Sequence, residues 1–72
     1  MTIYIAYCHD RHSDPELFGF FREDDAIKRA RQYMGDTVAH PEMLREETIK
    51  GMFYIFYGEE EDKAFVMAVE VN

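Results

Sequence analysis

The densest group of chemically capable side chains is a run of six residues, His9-Asp10-Arg11-His12-Ser13-Asp14, with two imidazoles, two carboxylates, a guanidinium and a hydroxyl. Imidazole nitrogen and carboxylate oxygen are usual donors to a transition-metal ion. The spacing matches no compact metal motif, however, and Arg11 would repel a cation beside it, so no metal ligand is assigned. The same guanidinium is a planar fork of donors, and together Arg11 and His12 could grip a phosphate or carboxylate, for instance that of a nucleotide. The architectural alternative has Asp10, Ser13 and Asp14 shaping a loop through bonds to nearby backbone while Arg11 pairs with a carboxylate. That alternative is preferred.

Nucleophilic chemistry has little support. Cys8 lies in an apolar run, where thiols are usually inert, although His9 and His12 are near it in sequence. The chain has no Gly-rich phosphate loop, no Gly-x-Ser-x-Gly elbow and no His-Glu-x-x-His segment. Its paired carboxylates fall on segments expected to be solvated, without the burial that tunes a general acid. No catalytic residue and no cofactor are expected, and the chain reads as a non-enzyme.

The third group is acidic. Fifteen Asp and Glu against eight Lys and Arg leave a net charge of −7, which opposes contact with nucleic-acid phosphates and anionic membranes and favours a basic protein partner. The carboxylates cluster at Asp24-Asp25, Glu46-Glu47 and Glu59-Glu60-Glu61-Asp62. Most such clusters only keep a small protein soluble. Held on a rigid fold, Glu46, Glu47, Glu59, Glu60, Glu61 and Asp62 could also imitate spaced phosphates and occupy a nucleic-acid-binding groove on another protein. Lys28, Arg29 and Arg31 make a small basic patch, but Asp24/Lys28 and Asp25/Arg29 are helical i, i+4 pairs, so the patch does not read as a DNA-binding stripe.

These groups must be positioned by five segments. Thr2 to Cys8 is dense in β-branched and aromatic residues and reads as a strand; His9 to Pro15 reads as a loop; Glu16 to Phe21 reads as a second strand, with Gly19 marking a bulge or a close backbone contact. From Glu23 the period changes. Ala26, Ile27, Ala30, Tyr33 and Met34 share one helical face, three acids occupy the first turn, and Gly35 is the expected stop, although Val38 would extend the stripe. Pro41 to Glu47 could open a short helical turn, and 46–50 could be an extended lead. Met52 to Tyr57 and Lys63 to Val71 read as strands joined by a charged hairpin loop. The expected fold is α+β: a four-stranded antiparallel sheet with one main helix on one face, in the order β-β-α-β-β.

Strand alternation then raises a problem of cover. The first strand sets Ile3, Ile5 and Tyr7 against Tyr4, Ala6 and Cys8, and the last two are likewise apolar on both sides. One helix hides one face. The other must be covered by a second copy of the chain, which we weigh first, by the segment 36–51, or by a different partner. Tyr4 and Tyr54 suit such an interface, because their rings bury area while their hydroxyls stay wet.

Seventy-two residues make a single domain, 1–72, near the lower limit for a self-sufficient core. With Cys8 the one cysteine, an internal disulfide is impossible. The opening residues lack the pattern of a secretory leader and no apolar run nears the ~20 residues of a bilayer span, so the expected location is the cytoplasm. The Tyr-rich opening strand, the Asp-Arg-His-Ser-Asp-Pro-Glu loop, Phe20-Phe21 before Asp25-Ala26-Ile27, and the late aromatic hairpin resemble a diffuse group of small uncharacterised phage and bacterial proteins. In size, acidity and element order the chain is also similar to phage-encoded inhibitors of host defence, including anti-CRISPR proteins. That resemblance implies an inhibitor that blocks a basic, nucleic-acid-binding surface of a host protein. The alternatives are an anion-binding module using the 9–14 loop and a purely structural homodimer.

Overall fold

The computed structural model describes residues 1–10, 13–58 and 62–72. The β-branched and aromatic opening run forms β1 (Thr2–His9), which pairs antiparallel with β2 (Glu16–Phe20). The 3.6-residue apolar period forms α1 (Glu23–Thr37), and a 3-10 turn at Pro41–Met43 leads into β3 (Leu44–Ile49), β4 (Met52–Tyr57) and β5 (Lys63–Glu70). All five strands make one antiparallel sheet in the order β2-β1-β5-β4-β3, so the last strand lies at the centre against the first. The helix packs on one side, mainly over β1 and β5.

Four expectations need correction. The sheet has five strands rather than four, because 44–49 is not a lead-in or a roof but an edge strand paired along its length with β4. Its charged sequence, Leu-Arg-Glu-Glu-Thr-Ile, conceals the strand signal. What specifies the pairing is the two-residue turn Lys50-Gly51, with φ of 52° and 81°, the left-handed pair that matches strand twist in a type I′ hairpin. The helical turn near 41–47 shrinks accordingly to Pro41–Met43.

The helix does not stop at Gly35. It runs to Thr37, and the Val38 N–H donates to the Met34 carbonyl at 3.1 Å. Burying Val38 outweighs the ~1 kcal/mol that a helical glycine costs relative to alanine. Gly19, finally, marks neither a bulge nor a close approach. It pairs in regular register with Ile5, and a Cβ placed there would meet Ile3 Cγ2 at an ordinary 3.9 Å.

The core lies between α1 and the sheet. Ala6, Cys8 and Ala64 from the strands meet Ala26, Ala30 and Met34 from the helix, and all six are fully buried. Small side chains on both sides let the helix backbone come close. Ile55 and Val66 fill the centre, while Phe18, Phe20 and Phe53 close the margins. No buried side-chain nitrogen or oxygen among the described residues lacks a partner.

Candidate functional site: the open face of the sheet

On the side away from α1 the register aligns a row across all five strands: Leu17, Tyr7, Phe65, Tyr54 and Glu47. Directly opposite residues in an antiparallel pair have Cβ atoms ~5 Å apart, close enough for rings to touch. Tyr7 and Phe65 stack at 4.8 Å between centroids, Phe65 and Tyr54 lie tilted at 5.6 Å, and Tyr54 stacks on Phe56 two residues along at 5.5 Å and 3°. Below this row Ile5 faces Met67 and Ile3 faces Val69, with Met52 and Ile49 paired on the other flank. The aromatic and aliphatic centre is half-buried, and Leu17 at its edge is 59% exposed.

Polar groups stand at the rim. The row above holds His9, Lys63, Phe56 and Arg45. Arg45 lies over the Phe56 ring at 5.4 Å, and its Nε donates to Glu47 Oε1 at 3.0 Å. The Tyr54 hydroxyl points to Met52 Sδ at 3.9 Å. An apolar centre with a polar border is the anatomy of a protein contact surface.

The residues singled out in the sequence are dispersed. Tyr54 lies in the open face, but Tyr4 is on the helix side, packed against the core. Glu46 is gripped by the Arg31 guanidinium through two bonds of 2.9 Å, and this hydrogen bonding holds its carboxyl below the usual range. Glu47 is taken by Arg45. Asp62 does not project from a solvated loop: it is 8% exposed, and its backbone carbonyl accepts the Tyr57 N–H at 3.3 Å. Glu59, Glu60, Glu61, Arg11 and His12 lie outside the described residues.

What is described of the 9–14 loop is architectural. The Ser13 N–H donates to the Asp10 carbonyl at 3.0 Å, closing a turn. Cys8 is fully buried; desolvation is the largest influence on its thiol and pushes it up to about 11, only partly offset by Arg29. A thiol so placed is a poor nucleophile. Among the described residues no three His, Cys, Asp or Glu side chains gather as a metal site, and no helix is long and apolar enough to cross a membrane.

A shallow open groove of about 270 Å³ runs between β2 and α1, lined by Phe20, Asp25, Lys28, Arg29 and Gln32. One of its two cations is engaged: Arg29 lies over the Phe18 ring at 4.2 Å and donates to Gln32 Oε1 at 3.3 Å. Sequence reasoning found that both sheet faces are apolar but did not single out Tyr7, Phe56 and Phe65. Period-two alternation placed them together, yet which parity the helix would leave open was not visible. Comparison with protein-family models, with curated proteins and with solved structures finds no match to this chain.

Proposed function

We propose that the chain is a non-enzymatic protein-interaction module whose contact surface is the open aromatic face of the sheet. The row Leu17-Tyr7-Phe65-Tyr54, running unroofed across four strands, carries the proposal. Large rigid rings with few rotatable bonds lose little entropy when a partner covers them, and aromatic anchors dominate binding energy at protein contacts. Contiguous apolar patches of this kind are uncommon on monomers without a partner.

The sequence-based alternative, a phage-type inhibitor that meets a basic host surface through carboxylates, draws less support. Of its acidic set, Glu46 and Glu47 are held in ion pairs and Asp62 is buried. The charge of −7 acts in this proposal at long range, disfavouring acidic partners and nucleic acid rather than forming the contact. The test is affinity capture with a tagged chain in its native host. Phe65→Lys should remove any specifically retained protein, a second copy included, while Asp36→Asn on the exposed helix side should leave retention unchanged. Equal retention by the Phe65→Lys chain would place the contact elsewhere.

A further inference from the structure

We infer that the occupant of the open face is a second copy of this chain, packed sheet against sheet, an assignment that rests on the interaction reading above. Charge is the first reason. The molecule carries −7, but the described acidic side chains stand almost wholly off this face: its strand positions hold Arg45 and Lys63 against the single acid Glu47, which is already paired. Two copies that met by the first turn of α1 would press carboxylates together. Here they meet through a face whose described strand positions hold two cations against one acid, and the helices that carry Glu23, Asp24 and Asp25 point outward on both sides. A basic partner, by contrast, gains nothing from this face.

Size is the second reason. Five strands spaced ~4.8 Å apart and about six residues long span roughly 24 by 20 Å, or about 500 Å² in projection on each copy. The pair therefore hides about 1,000 Å², the lower bound for a specific interface. Along its thinnest principal axis the Cα trace spans 16 Å, enough for one sheet and one helix, and stacking places a second sheet ~10 Å away, completing a core. A two-fold axis sets the same aromatic row against itself, with Arg45 and Glu47 of each copy at the border.

Light scattering and sedimentation of the purified chain, from roughly 1 µM to 1 mM, test this. The expected mass rises to twice 8.6 kDa with concentration. Added salt should tighten the dimer by screening −7 against −7, whereas a contact made by opposite charges would weaken. Phe65→Lys and Met67→Glu should each return the chain to monomer with its far-ultraviolet circular dichroism intact. Independently of any variant, a mixture of isotopically labelled and unlabelled copies should give intermolecular NMR cross-relaxation between the Tyr54 and Phe65 rings. A wild-type monomer throughout the range overturns the second copy, and face-dependent capture of another protein would then leave the broader proposal standing. A dimer that salt weakens, or that shows no ring-to-ring cross-relaxation, overturns the placement of the interface.

Discussion

Strands β1, β4 and β5 are apolar on both sides, yet the two sides are built from different volumes. At the centre of the side facing α1 are Ala6, Cys8, Ala64, Val66 and Ile55, with the rings of Tyr4, Phe53 and Tyr57 around them; facing away are Tyr7, Phe65, Met67, Tyr54 and Phe56. Both sides offer rings and aliphatic area, so hydrophobicity alone does not place the helix. It packs instead where small side chains let backbones approach and dispersion contacts become dense. The rings on the other side interlock with one another and remain half-exposed. One face is thus finished within the chain, and under the interaction proposal the other is left for a surface able to meet it.

The contrast has measurable consequences. Ile55→Ala should cost about 2–5 kcal/mol by emptying the centre of the core. Phe65→Ala, measured by urea unfolding at a concentration too low for association, should cost less than half of that; equal losses would show that the open face is structurally as tight as the closed one. Cys8 probes the closed face chemically. With its thiol raised from 9.0 to about 11, alkylation at pH 8 should be at least a hundred-fold slower than for the unfolded chain. The sign for stability follows: the unfolded thiol ionises first, so stability falls as pH rises from about 9 toward about 11. Fast alkylation would mean that the helix side opens readily.

Smaller effects test what holds the edges. Gly51→Ala should destabilise the β3–β4 hairpin by about 1 kcal/mol, since a Cβ resists the left-handed backbone that Gly51 adopts at φ 81°. If thermal unfolding were unchanged, the turn would not be what sets the register. The Arg31–Glu46 pair ties α1 to the edge strand with side chains 56% and 43% exposed, so a double-mutant cycle should yield only ~0.2–1 kcal/mol. Because the folded Glu46 carboxyl is lowered, that contribution is complete above the ordinary carboxylate pKa and is lost as pH falls through the depressed folded value. High salt should remove most of it.

The elements with clean periodicity were legible in advance. The strands at 2–8, 52–57 and 63–71 and the start of the helix at Glu23 match β1, β4, β5 and α1 within a residue or so, because apolar period directly reports which side of an element meets a core. β3 was not, since its exposed edge position needs almost no apolar residues, and its only local signature is the left-handed Lys50-Gly51 turn. The surroundings of Glu46 were hidden for a related reason: a residue's type says nothing about whether an arginine from another element will reach it, as Arg31 reaches Glu46 across 15 positions.

Local chemistry therefore settled that a helix and several two-faced apolar strands would form, and that one helix could not hide both faces. Three-dimensional packing settled the rest: that residues 44–49 extend the sheet rather than roof it, that β5 inserts beside β1, and that the small-residue face is the one closed. Those outcomes depend on long-range pairing and on the fit of volumes between distant segments, quantities that no window along the chain contains.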